Sequence, residues 1–272
     1  MSFRSALQLI VVMLLWAACF PLITVGIAYA PHTTFAAMRA SIASTALVFA
    51  AVVLRRPAPS IRIWTILGLI GLGATTLGFL GMFHAAELVS PGIATVIANS
   101  QPLLAAVPAV VILGERLDSR GIAGLAVGFA GVLLLTMPQM LGPGGGTYRI
   151  GLGYMVLAAL GITMSNLLIK RLAGEVDSVM AMGVQMLIGS LPLWLTAVFL
   201  ERGQTTVWSL EFAVALLALS LVGTSLAYWL WCATLARVEL NRANVFAFLV
   251  PMFGLAIGVL WSVRLLSCGR SG

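Results

Sequence analysis

Apolar runs about 20 residues long follow one another along almost the whole chain, and the short stretches between them carry nearly all of its charge. A helix of that length matches the ~30 Å hydrocarbon core of a bilayer. Within lipid every backbone N–H and C=O must find a partner inside the structure, which leaves helices and closed barrels as the spanning folds. The alternating apolar and polar pattern of a membrane barrel does not occur here. Only 8% of the residues are charged and 61% are hydrophobic, against roughly 25% charged in a soluble domain. A water-soluble fold is excluded. The sequence specifies an all-α polytopic membrane protein whose first partner is the lipid bilayer.

Nine spans are predicted, at 5–25, 34–54, 63–84, 91–113, 120–139, 150–169, 178–200, 209–234 and 240–261. All eight acidic residues and 14 of the 15 basic residues fall at span ends or between spans, and only Arg39 lies deeper within one. A charge at the bilayer centre is costly, so this confinement supports the spans independently. Arg39 lies about five residues into its span. That makes it a functional candidate, with outward snorkelling as the structural alternative. Ala28-Tyr29-Ala30 imitates a signal-cleavage site. Pro31 follows it directly and the preceding apolar run is longer than a signal core, so this segment is the first span.

Lys and Arg set the orientation. With the N-terminus inside, 10 basic residues lie on the inner side and 4 on the outer side, so a cytoplasmic N-terminus is expected. The net charge of +7 is loop charge: no basic run exceeds two residues and no aromatic interleaving accompanies it, so nucleic acid is not an expected partner. Cys19 and Cys232 sit in apolar runs and Cys268 in the tail, with no CxxC spacing. No metal site or disulfide framework is indicated. There is no GxSxG, HExxH or Walker A motif, so neither an enzyme nor a cofactor is expected, and the chain lacks the means to use ATP.

The chain divides at Gly142-Pro143-Gly144-Gly145-Gly146, its one linker-like stretch. A constant shift of 149 aligns Leu72–Gly78 with Leu221–Ala227, Ala94 with Ala243 and Pro102 with Pro251. Two repeats are expected, 1–141 with helices 1–5 and 150–272 with helices 6–9. The odd number of helices in the first repeat turns the second upside down relative to it. The shift also predicts a tenth helix near 269–288, but the sequence stops at Gly272, and Ser267 to Gly272 are not apolar. The second repeat is therefore expected to be incomplete. A shortened chain or an altered reading frame at the tail is favoured over a nine-helix protein.

Two spans are interrupted by proline at matching places. Ser90 to Arg116 carries Pro91, Pro102 and Pro108 around Asn99-Ser100-Gln101, and Arg237 to Ser262 carries Pro251. Proline removes a helical hydrogen bond, and a pair of such segments in inverted halves points to a transporter binding site near the bilayer midplane.

These features together resemble the EamA-type members of the drug/metabolite transporter superfamily. The resemblance is carried by Trp16 through Phe20-Pro21, by Met38-Arg39-Ala40, and by the fourth helix ending in Leu113-Gly114-Glu115-Arg116. The Gly-rich fifth helix and the Asn166-to-Lys170 end of the sixth add to it. It covers about 1–262. It implies ten helices as two inverted five-helix repeats around a central cavity lined by helices 1, 3, 4, 6, 8 and 9. It also implies export of small metabolites, often amino acids, from a bacterial cytoplasm across the inner membrane.

Candidate substrate-binding residues follow from position and chemistry. Thr95, Asn99 and Pro102 share one face of the fourth helix, with Asn244 as the counterpart of that patch in the ninth, where it could equally be a helix cap. Trp16 and Phe20 lie four apart on the first helix. Phe79 and Phe83 in the third helix align with Tyr228 and Cys232 in the eighth, beside Trp231. Asn166 is polar within the sixth. His84 closes the third helix, and it or a boundary Glu is the candidate group for proton coupling. Against each stands ordinary helix packing, with interhelical hydrogen bonds worth ~0.6 kcal/mol on average. The glycines at 68, 71 and 78, at 121, 124, 128 and 131, and at 254 and 258 are small stripes for close helix packing.

The function expected is a secondary transporter exporting amino acids or similar metabolites by alternating access, as a monomer or a homodimer. An intramembrane lipid-modifying enzyme and a non-transporting truncated remnant are the alternatives. The first needs clustered His, Asp or Glu, which the sequence scatters.

Overall fold

A computed structural model describes residues 2–89, 97, 100–114, 119–142, 145–254 and 256–257. Its elements are α1 (Phe3–Ile27), α2 (His32–Val53), α3 (Ile61–Ile70), a π-helical stretch (Gly71–Leu77), α4 (Gly78–Leu88), α5 (Gln101–Leu113) and α6 (Ser119–Leu141). The second half has α7 (Gly145–Leu172), α8 (Ser178–Leu200), α9 (Leu210–Leu217), a second π-helical stretch (Ala218–Leu226), α10 (Ala227–Leu235), α11 (Leu240–Val245) and a 3-10 turn (Phe246–Phe248). Each π stretch joins its two flanking helices into one rod. Among the described residues six helices are long and apolar enough to cross a membrane. The protein is an all-α membrane protein.

The expected ninth span is interrupted: α11 gives way to the 3-10 turn before helix resumes at 249–254. Pro251 explains the break. Its ring crowds the carbonyl of Ala247 and offers no N–H to it, so the turn before it tightens. The Gly-rich linker is shorter than expected, since α7 already begins at Gly145. The first part of the fourth span, including Pro91 and Thr95, lies outside the described residues, as does the tail.

The two halves run in opposite directions, and their facing helices show it. Beside α2, helix α8 is antiparallel. At one end the Glu201 carboxylate accepts from the Thr33 and Thr34 amides at 2.6 and 2.8 Å; at the other Arg56 meets Asp177 at 3.6 Å. The N-cap of α2 is Pro31, which has no capping group, so the other half supplies one. Asp177 caps its own helix through Val179 and Met180. Helix α1 lies antiparallel to the α9–α10 rod, from Val207 N–H to Tyr29 O (2.8 Å) to Thr234 and Gln8 (3.4 Å). The α3–α4 rod lies in the same way against α7. The first helix of each half thus packs on the third of the other, and the second on the second.

Backbones touch where both sides are glycine. A Cβ on Gly73 would stand 2.5 Å from Gly161 O, and one on Gly189 would stand 2.4 Å from Gly71 O. The stripe expected on the fifth helix does not act this way throughout. Among the described residues nothing lies within 4 Å of a Cβ added at Gly124, Gly131 or Gly254. Helix α6 instead exposes Val127 and Leu134 on its surface, as a lipid-facing helix must.

Candidate functional site

Seen along the helices, the interior is a sequence of layers. At the Tyr29 end a cavity of about 460 Å³ is lined by residues that include Tyr29, His32, Thr33, His84, Glu201 and Gln204. The Tyr29 hydroxyl donates to the Glu211 carboxylate, and this bond, reinforced by the carboxylate's charge, pushes the phenol pKa up. Burial pushes the Glu201 carboxyl up, but the Thr34 hydroxyl and the Thr33 and Thr34 amides outweigh it and hold it below the usual range. His84 Nδ1 donates to Leu80 O at 2.9 Å, and the ring stacks on Tyr154 with centroids 5.2 Å apart.

Below the cavity Phe35, Phe83 and Phe212 form a closed aromatic layer. The Phe35 centroid is 5.5 Å from each of the other two, and all three rings are fully buried. Gly26 makes room for it: a Cβ there would fall 2.1 Å from the far end of the Phe35 ring.

Next comes a polar layer at the second π stretch. Arg39 Nε donates to Thr224 Oγ1 at 2.8 Å, Nη2 lies 3.8 Å from Cys19 Sγ, and the guanidinium sits 4.4 Å over the Phe79 ring. The outward snorkelling considered from the sequence does not occur, because Arg39 is only 4% exposed. It points inward between α1 and the α9–α10 rod, where the Thr224 hydroxyl holds it.

Deeper still, Trp16 packs against Tyr228 and Trp231 at centroid distances of 5.9 and 5.4 Å. Trp231 Nε1 donates to Asn166 Oδ1 at 2.9 Å. Beyond this layer Lys170 closes the end of α10 by donating to Leu235 O and Val238 O, both at 2.8 Å, a cation on helix C-terminal carbonyls.

The structure therefore gathers Trp16, Asn166, Tyr228 and Trp231 into one layer, with Phe79 and Phe83 in the layers above and His84 at the cavity. Asn244 is buried at 3% exposure, and its Nδ2 has no partner among the described residues. It is the fifth residue of α11 rather than its cap. Asn99 lies outside the described residues, as do the side chains of Phe20 and Pro102. Sequence reasoning passed over Phe35 and Phe212 and the Glu201 cap. Phe35 stands four residues before Arg39, one helical turn, which was the available signal.

Among the described residues no group of three His, Cys, Asp or Glu side chains could hold a metal ion. What the layers offer is a set of aromatic walls, hydroxyls and amides with the Arg39 guanidinium among them.

A family model described as the EamA-like transporter family matches residues 3–137 and 149–266. A WAT1-related chloroplastic protein of Arabidopsis thaliana is 32% identical over 235 residues, which is 83% of this chain and 56% of that protein. The chain thus spans little more than half of that relative's length. A probable amino-acid metabolite efflux pump of Escherichia coli is 26% identical over 272 residues, covering 96% of this chain and 87% of the pump. A solved crystal structure superposes with a TM-score of 0.74 at 21% identity, covering 96% of this chain and 89% of that one.

Proposed function

The chain belongs to the EamA-like transporter family, and we propose that it is a secondary carrier that exports small amphipathic metabolites, amino acids foremost, across a bacterial inner membrane. Residues 1–141 and 150–272 are its two inverted repeats, and the N-terminus is cytoplasmic. The Tyr29 end then faces outward and its cavity is the outer vestibule.

The observation that carries this reading is the stack of layers between the two halves. An aromatic and polar interior is separated from the vestibule by three interlocked phenylalanines. Rocking of one repeat against the other, about the glycine contacts that let them meet closely, would part this layer and expose the interior to the outside. The opposite tilt would open the Lys170 end. The name of the Escherichia coli relative supports amino acids as cargo. His84 in the vestibule is the group placed to exchange a proton with the outside. The carrier works as a monomer or a homodimer, without a chemical step.

Counterflow in liposomes tests it. Vesicles holding unlabelled amino acids should accumulate the labelled amino acid when the protein is present. Uptake no greater than in empty vesicles, for every amino acid, ends the cargo assignment.

A further inference from the structure

The two halves solve the same packing problem twice, with one difference. Arg39 is the eighth residue of α2 and Gln185 is the eighth residue of α8. Each is bonded to a threonine of the other half's π stretch: Arg39 to Thr224 at 2.8 Å, and Gln185, through Oε1, to the Thr75 hydroxyl at 3.1 Å. All four residues are buried. A neutral amide therefore does the scaffolding job in one half. The charge in the other is surplus to it.

That surplus is costly, because a cation withdrawn from water needs a counter-charge to offset its desolvation. None is present: among the described residues no carboxylate pairs with Arg39. A guanidinium has five N–H donors in a planar fork. Nε takes Thr224 and one Nη2 hydrogen takes the Cys19 sulfur. The other three have no acceptor among the described residues. The fork matches a carboxylate, which can accept two parallel hydrogen bonds from it. Around it stand an aromatic face at Phe79 and, within electrostatic range, Tyr228, which packs on Trp16.

We propose that Arg39 is the receptor for a ligand carboxylate, so that the cargo is an organic acid or amino acid whose apolar body lies along Phe79, Trp16 and Tyr228. The ligand completes the charge pair that the fold leaves open. This rests on reading the protein as a small-molecule carrier, and it narrows the cargo to carboxylate-bearing compounds. The Arg39 contact also places the ligand at the second π stretch, beside α1.

The test compares acids with their amides. Thermal unfolding of the purified full chain in detergent is followed by tryptophan fluorescence with each proteinogenic amino acid, its carboxamide, and its 2-oxo acid. At least one acid should stabilise the protein while its amide does not. A 2-oxo acid acting as well as its amino acid assigns recognition to the carboxylate alone; an amino acid acting without its 2-oxo acid adds a site for the amine. Arg39→Gln, which copies the arrangement at Gln185, should keep the fold and weaken the apparent affinity about tenfold or more. Amides that stabilise as well as acids, no stabilising acid at all, or an Arg39→Gln protein with unchanged affinity would each overturn the proposal. The acid-amide comparison in the unaltered protein decides the matter even if the variant fails to fold. Stabilisation without counterflow removes the export function and leaves the anion site; counterflow without acid selectivity does the reverse.

Discussion

Thr75 and Thr224 hold the same place in the two halves: each is the third residue from the end of a π-helical stretch, and each is hydrogen-bonded to the eighth residue of the other half's second helix. The neighbouring hydroxyls repeat the theme. Thr76 donates to Gly189 O at 2.7 Å and Ser225 donates to Ala43 O at 3.1 Å. A π-helical stretch widens the backbone locally, and here both widened stretches are tied across the boundary between halves by side-chain hydroxyls. The inverted repeat is thus written into specific bonds as well as into helix order.

Removing one such tie should cost stability, and removing a hydroxyl that bonds only its own helix should not. Thr75→Val takes away the Gln185 partner and is expected to destabilise by about 0.6–1.7 kcal/mol, the range of interhelical hydrogen bonds in membranes. Thr196 bonds only Pro192 O and Leu193 O of its own helix, so Thr196→Val should be nearly neutral. Equilibrium unfolding of both in mixed micelles compares them, and equal losses would mean that the cross-half bond carries nothing.

Glycine substitutions should separate by contact rather than by motif. A Cβ at Gly71 would lie 2.2 Å from Gln185 O, a backbone atom that cannot move aside, while one at Gly68 meets nothing within 4 Å. Gly71→Ala should destabilise by about 1–3 kcal/mol as an overpacked contact, and Gly68→Ala should leave the melting temperature unchanged or slightly raised. A thermal scan by size-exclusion chromatography measures both.

The phenylalanine layer predicts a change in access. Cys19 is buried at 4% exposure beneath it. With Cys232 and Cys268 replaced by Ala, a membrane-impermeant maleimide should label Cys19 slowly. Phe35→Ala removes the ring that contacts both Phe83 and Phe212 and should raise the labelling rate severalfold from the Tyr29 end alone. Unchanged labelling would show that the layer is not the barrier.

Acid should weaken the link between α2 and α8. The hydrogen bonds from Thr33 and Thr34 hold the Glu201 carboxyl below its ordinary value of 4.5. A depressed carboxyl contributes stability that is full above the unfolded value and is lost as pH falls through the folded one. Melting temperature in the unaltered protein should therefore drop as the pH is taken below about 4.5. Glu201→Gln should lose about 1 kcal/mol at neutral pH, the usual worth of a helix N-cap, and show a flatter acid limb. Identical acid limbs in the two proteins would place the acid sensitivity elsewhere.

Some of the site was legible before the structure because helical spacing projects onto faces. Phe79 and Phe83, four apart, lie in adjoining layers of the interior, and Trp16 meets Tyr228 and Trp231 because α1 lies antiparallel against the α9–α10 rod. Arg39 was visible as an anomaly but its direction was not. A long side chain one-third of the way along a span can reach the surface or the interior, and only the position of Thr224 on another rod decides which. The glycine stripe on the fifth helix holds only in part for a similar reason: among the described residues a Cβ at Gly128 would meet Leu103 at 3.1 Å, while one at Gly124 or Gly131 would meet nothing within 4 Å. Spacing shows which glycines share a face, not what stands opposite that face.

Local chemistry alone determined that this chain is helical, spans a membrane and repeats itself inverted, since hydrophobic length, charge confinement and an odd number of spans in the first repeat need no partner to be read. Tertiary structure decided which residues meet: the Glu201 cap on a helix 168 residues away, the closed phenylalanine layer, and a buried guanidinium left without a carboxylate among the described residues. Contacts of that kind depend on how two halves dock, and docking sums small packing and hydrogen-bond terms from residues far apart in the chain.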